Sequence, residues 1–268
     1  MSSENTLEYV RGNDALEVGN GIGNFRHRDN KLGDIVNANL LYVKNASFAY
    51  DLLWPANGGG TLYLDYLKAK QTKYKNGMLF VGANDGMLHA VDAKTGIEQW
   101  AYIPHAVYPY LKSLSDTDYQ HHYFVDGQTS EGDAYVSVGG GAQHVWKTLL
   151  LGATGAGAKS IFAIDISDPA ELGIKSVLWE RSAVTLDNGV MYDDMGYVLG
   201  AAFVVRLRNA QWAAIYGNGM ESINQHAVLY LVDVMTGAVI KKITAEKHDG
   251  DGKENKSANG LFTPALLW

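Results

Sequence analysis

Short apolar runs separated by glycine- and aspartate-rich turns recur along the chain, and three stretches share one pattern. Residues 79–104 read LFVGANDGMLHAVDAKTGIEQWAYIP, residues 149–182 read LLLGATGAGAKSIFAIDISDPAELGIKSVLWERS, and residues 213–244 read AAIYGNGMESINQHAVLYLVDVMTGAVIKKIT. Each is an apolar run ending in Gly, a turn, a second apolar run ending in Asp, a tight turn and a third run. Gly82, Gly152 and Gly217 mark the first turn, so the pattern returns after 70 and then 65 residues. Runs this short, bounded by Gly, Asn and Asp, predict strands and not helices.

The turns carry their own chemistry. Asn84-Asp85-Gly86 lies between the apolar runs 78–83 and 87–91 and predicts a hairpin with positive φ at both central positions. Asp92-Ala-Lys-Thr95-Gly96 and Asp233-Val-Met-Thr236-Gly237 predict turns in which the Asp side chain accepts from the backbone two residues on and Gly takes the left-handed position. In the second copy Asp165-Ile-Ser-Asp168-Pro169 stands there. A further strand is expected before each triplet, over 35–43, 122–126 and 197–205. Only 109–118 reads as helix, one or two turns with Leu111 and Leu114 on one side.

Four strands per unit at this period predict an all-β chain built of β-propeller blades. The blades are expected over about 35–104, 120–182 and 196–244, after a lead-in segment 1–34. Residues 259–268 read as the opening strand of a fourth. Propellers close with roughly 4–8 blades. The expectation is therefore an incomplete propeller, about three blades and the first strand of another, cut from a longer protein.

Composition changes this picture little. The 268 residues are 47% hydrophobic and 19% charged, enough for a core. The net charge of −7 argues against nucleic-acid binding, which needs a basic footprint. With no cysteine, disulfides and thiolate zinc sites are excluded. No apolar run approaches the roughly 20 residues of a membrane-spanning helix, and the first twenty residues lack a signal-peptide pattern.

Several segments together resemble a known family. They are Phe25-Arg-His-Arg28, Leu32-Gly-Asp-Ile-Val-Asn37, VGANDGMLHAVDAKTG at 81–96, Ala101-Tyr-Ile-Pro104, Tyr123-Phe-Val-Asp-Gly127, Trp146-Lys-Thr148, Ala163-Ile-Asp-Ile166 and Tyr216-Gly-Asn-Gly219. In this order and spacing the chain, from about Arg11 to Trp268, resembles the C-terminal propeller of the PilY/PilC proteins of type IV pili. The resemblance implies an exported bacterial surface protein, associated with the pilus and its tip. Such a protein promotes pilus assembly, opposes retraction, takes part in adhesion and is not an enzyme. Its partners would be pilus components or host surface proteins. Some members carry a regulatory calcium loop, which the family pattern places after the segment matching 259–267, beyond Trp268. No calcium ligand is therefore assigned to this chain.

Other constellations are weaker. Asp249-Gly-Asp251 starts like a calcium loop, but Lys253 and Glu254 stand at the fifth and sixth positions and Gly260 at the twelfth. These two Asp are at best weak metal candidates, and a solvated turn is the better reading. Gly152–Ser160 mimics a phosphate loop, yet Ala158 precedes Lys159 and the following residues read as strand. A glycine-rich hairpin is expected instead. His89, His121, His122, His144 and His226 lack zinc spacing and read as imidazoles bonded within sheets or exposed. Trp100, Trp146 and Trp179 recur at strand ends and are expected to pack blade against blade.

The candidate binding residues are Tyr108, Tyr110 and Tyr119, in the long insertion 105–122 with Tyr102 and Tyr123 nearby. Tyrosine offers rigid contact area with a polar tip, although such rings can equally anchor an insertion to its blade. Loops 127–147 and 183–196 are further candidates. No catalytic constellation is visible. The alternative reading is a quinoprotein dehydrogenase, dependent on pyrroloquinoline quinone, because the turn G-x-N-D-G-x-L-x-A-x-D-x-x-T-G resembles the blade repeat of those enzymes. Their cofactor ring of polar residues is not recognisable here. An outer-membrane assembly scaffold shares only the generic Gly and Asp-x-x-Thr-Gly pattern.

Overall fold

A computed structural model describes residues 3–20, 23–52, 60–137, 141, 143–183, 194–245 and 260–265. Among the described residues, helix α1 (Ser3–Val10) is followed by twelve strands in three four-stranded antiparallel sheets. The first holds β1 (Leu41–Val43), β2 (Met78–Gly82), β3 (Leu88–Asp92) and β4 (Glu98–Tyr102). The second holds β5 (Thr129–Ser137), β6 (His144–Ala153), β7 (Ser160–Asp165) and β8 (Val177–Ser182). The third holds β9 (Phe203–Arg206), β10 (Trp212–Gly217), β11 (Ala227–Asp233) and β12 (Val239–Ala245). Strands follow chain order within each sheet, and the first strands lie side by side, β1 against β5 and β5 against β9. This is the blade arrangement of a propeller.

The repeat extends to its irregularities. Each sheet shifts register once, between its third and fourth strands, at Ala90/Val91, Ala163/Ile164 and Leu231/Val232. A bulge at the same place in each blade turns the outer strand in the same way. The Asp turns form as expected. Asp92 Oδ1 accepts from the backbone of Lys94 and Thr95 and from the Thr95 hydroxyl. Asp233 Oδ1 does the same with Met235 and Thr236. Gly96 and Gly237 sit at φ 70° and 66°. At the other turn only Gly86 has positive φ, 99°. Asp85 instead accepts from Met87 N at 3.1 Å, so the expected pair of left-handed residues is replaced by one.

Three first-strand expectations need correction. Within 35–43 only Leu41–Val43 is strand. Residues 122–126 are not strand; the inner strand of the second blade is Thr129–Ser137. The third begins at Phe203, with Tyr197 in an isolated bridge to Met220. Loop candidate 127–147 proves to be mostly β5 and β6.

The missing segments have a different task. Phe124 N donates to Asn84 Oδ1 at 3.0 Å, and Leu261 N donates to Asn218 Oδ1 at 3.2 Å. In each case the segment beyond one blade is stapled to the loop between that blade's second and third strands. The approach is close: a Cβ on Gly82 would stand 2.2 Å from the Val125 oxygen. Residues 260–265 contribute one bridge, Leu261 to Gly219.

Two apolar clusters fill the spaces between sheets. One joins the first and second sheets through Phe80, Leu88, Leu150, Phe162 and Ile164, with Trp100 packed against it. The other joins the second and third through Leu149, Ala163, Trp146, Trp179, Trp212 and Tyr216. Trp179 Nε1 donates to Val234 O at 2.9 Å across that junction, which is the blade-to-blade role expected of these rings.

An insertion between β1 and β2 adds helix α2 (Gly60–Lys73). It docks through Tyr63, Tyr66, Lys70 and Tyr74, spaced so that all lie on one helical face. Lys70, with no exposed side chain, donates to Glu131 Oε1 at 2.6 Å and Asp133 Oδ1 at 3.0 Å. Asp133 also accepts from the Tyr63 hydroxyl at 2.7 Å and the Thr148 hydroxyl at 2.6 Å. Burial raises the Glu131 pKa above the ordinary carboxylate range, and the Lys70 charge only partly offsets it. The Tyr63 and Tyr74 pKa values are raised too, chiefly by burial and then by neighbouring carboxylates.

Candidate docking surface

The second insertion leaves the first blade after β4. It begins as a 3-10 helix, His105–Ser115, whose first amides have no partner within the helix. Glu180, on β8 of the second blade, supplies one. Its carboxylate accepts from His105 N at 2.7 Å, Ala106 N at 2.9 Å, the Tyr102 hydroxyl at 2.9 Å and the Ser160 hydroxyl at 2.8 Å. Hydrogen bonds to an ionised acceptor are the strong kind. Burial first, and then Glu180, raise the Tyr102 pKa, so that hydroxyl stays a donor.

Below the helix, Ala106, Val107, Leu111 and Leu114 pack with Tyr9, Val10, Phe25 and Phe124. Leu111 and Leu114 therefore share the buried side, as their spacing indicates. The far end is held by the Phe25–Arg28 segment. Arg26 N donates to Ser115 O at 2.9 Å, its Nε to Leu114 O at 3.0 Å, and its guanidinium lies 4.1 Å over the Tyr119 ring. Arg28 covers Tyr9 at 3.6 Å and pairs with the buried Glu17 at 2.8 Å. Burial works against the Glu17 charge, but the Arg28 hydrogen bonds and charge outweigh it and lower its pKa.

The three candidate tyrosines divide. Tyr119 is partly buried under Arg26, and its hydroxyl accepts from His122 N at 3.2 Å. Tyr108 is 54% exposed beside His105, and Tyr110 is 42% exposed beside His122. Tyr119 thus anchors the insertion while Tyr108 and Tyr110 project from it. Loop candidate 183–196 lies mostly outside the described residues, as do the weak metal candidates Asp249 and Asp251.

Polar clamps secure the lead-in beside this surface. Gly33 N donates to Asp85 Oδ2 at 2.8 Å, and Asn37 gives two bonds to Asp126, at 2.9 and 2.6 Å. His121 meets Asp34 at 2.9 Å. Buried His89 bridges Asp85 at 3.0 Å and Glu98 at 2.5 Å. Burial disfavours its charge, but the bonds and charges of Asp85 and Glu98 prevail and raise its pKa to about 9. Among the described residues no three His, Asp or Glu side chains form a metal-binding group. No helix among them is long and apolar enough to cross a membrane.

Sequence reasoning missed Glu180, Lys70 and the Asn84 and Asn218 staples. The two asparagines stood in segments that carry the family resemblance, though their partners lie some forty residues away. Nothing local marks Glu180 or Lys70.

The model of the PilY1 beta-propeller domain matches residues 32–267. The chain belongs to the PilY1 β-propeller family. A type IV pilus biogenesis factor PilY1 homolog of Xylella fastidiosa is 38% identical over 271 residues, covering 97% of this chain and 17% of its own length. The type IV pilus biogenesis factor PilY1 of Pseudomonas aeruginosa strain UCBPP-PA14 is 35% identical over 264 residues, covering 97% of this chain and 20% of its own. The chain thus spans a fifth or less of these relatives. The crystal structure of the Pseudomonas aeruginosa PilY1 C-terminal domain superposes with a TM-score of 0.62 at 33% identity, covering 84% of this chain and 40% of that one. The PilY1 family resemblance of the sequence is confirmed, and with it the propeller fold.

Proposed function

We propose that the chain is the propeller part of a type IV pilus biogenesis factor that promotes pilus assembly, opposes retraction and contributes to adhesion at the bacterial surface. The observation that carries this reading is identity of 35–38% along 97% of the chain to proteins named as pilus biogenesis factors. It acts by docking, as a scaffold and not as an enzyme. Rigid blades present the 105–122 insertion, and Tyr108 and Tyr110 are the exposed aromatic anchors on which binding energy concentrates. Pilus components or host surface proteins are the partners. Calcium has no assigned ligand in this proposal.

The quinoprotein alternative rests on the shared blade turn. Here those residues hold the blade together: Asp92 and Asp233 bond their own turns, and Asn84 and Asp85 hold neighbouring segments. No observation favours a cofactor over this use.

The test is complementation. A full-length protein carrying this chain is expected to restore surface pili in a strain lacking its own copy, and Tyr108→Ala to reduce them at unchanged protein level. Unrestored piliation with the protein present at the surface would refute the proposal.

A further inference from the structure

Behind Tyr110 the insertion folds back on itself and leaves an open groove of about 520 Å³ between the 3-10 helix and residues 116–122. That is within the range of roughly 300–1,000 Å³ typical of small-ligand sites. One wall is aromatic: the half-exposed Tyr110 ring leans at 41° against His122, with centroids 5.4 Å apart. The rim is polar and exposed, made by Lys112, Asp116, Asp118 and Gln120. Among the described residues the side chains of Lys112, Asp116 and Asp118 make no hydrogen bond or ion pair. His122 Nε2 is covered and also lacks a partner. Burial, and then the charge of His121, lower the His122 pKa, so the ring is neutral at pH 7.

The composition of this groove selects a ligand class. Peptides are recognised by strand edges, apolar grooves or aromatic slots for polyproline segments. No strand lies among the groove residues and no aliphatic pocket opens into it. A sugar ring asks for what is present: an aromatic face for its C–H surface, and both donors and acceptors for its hydroxyls. Two carboxylates against one ammonium make the rim net acidic, which disfavours sialylated or uronate glycans.

We propose that the Tyr110 groove binds a short neutral oligosaccharide. Tyr110 is the stacking platform, Asp116 and Asp118 accept from sugar hydroxyls, and Lys112 completes the hydrogen-bonding set. The proposal rests on the reading of the insertion as a recognition surface and names what the groove within it recognises.

The experiment probes the full-length protein with an array of neutral, N-acetylated and sialylated oligosaccharides, then titrates the neutral oligosaccharide retained best. Neutral glycans are expected to bind, with sialylated forms weaker. Tyr110→Ala is expected to weaken binding about tenfold or more, while Tyr110→Trp retains it. The Asp116→Asn and Asp118→Asn double variant, which removes no apolar contact, is expected to weaken it as well. Absence of any neutral ligand overturns the proposal. So does binding that neither variant changes, or capture of a peptide at Tyr110 in place of a glycan. Intact piliation with no glycan binding removes this inference alone, whereas glycan binding without restored piliation removes the pilus reading alone.

Discussion

The two insertions of the first blade use aromatic residues in opposite ways. The α2 insertion turns Tyr63, Lys70 and Tyr74 inward, each 1% exposed or less, and satisfies every polar tip against the second blade. The 105–122 insertion buries its aliphatic side chains and leaves Tyr108 and Tyr110 outside. Rings that are fully packed contribute stability, and rings held rigidly in solvent contribute a surface. Tyrosine content alone therefore says nothing about role; the partner of each hydroxyl does.

The largest expected effect separates the two directly. Lys70→Met removes the only cation that the described residues pair with Glu131 and Asp133 and leaves buried carboxylates uncompensated. It is expected to cost about 3–5 kcal/mol in chemical denaturation. Tyr108→Ala, at an exposed position, is expected to stay within about 0.5 kcal/mol. Equal losses would break the comparison.

The second effect tests how the exposed rings are held. Glu180→Gln keeps the shape of the cap but loses its charge, and is expected to cost about 1–3 kcal/mol. Hydrogen exchange should rise at amides 105–115 and not across α2. A uniform rise over both insertions would mean that they form one cooperative unit.

A third effect is electrostatic and lies in the first blade, at His89 on β3. Folding raises the His89 pKa from 6.5 to about 9, so the folded protein holds this proton more tightly than the unfolded chain. Its contribution is complete below about pH 6.5 and is lost as pH rises through 9. Unfolding free energy measured across that window is expected to fall, and His89→Gln should flatten the slope. An unchanged slope would show that the Asp85–His89–Glu98 clamp does not stabilise the first blade.

What could be read from the chain, and what could not, follows the same physics. Outer strands and turns were legible because Gly, Asp and apolar runs act locally: the Asp92 and Asp233 turns bond within five residues. Strand β5 was not, because the innermost strand is crowded and therefore small and polar. A Cβ on Gly132 would meet Val204 at 2.5 Å, and Asp133 is reserved for Lys70. Residues 122–126 carry a short apolar run, Tyr123-Phe-Val125, but spend their backbone groups on loop tips. Helix α2 carries no aliphatic stripe, since its docking face is written in tyrosine and lysine. At the candidate site the insertion and its tyrosines were visible, whereas their division into Tyr119 as anchor and Tyr108 and Tyr110 as surface depended on Arg26, far away in sequence.

The asparagine staples bear on how such a chain assembles. The acceptor on Asn84 is filled by a residue 40 positions later, and that on Asn218 by one 43 positions later. The first and third leaves are thus each pinned by chain that is synthesised some forty residues later, so neither rim can be finished until that downstream stretch has emerged.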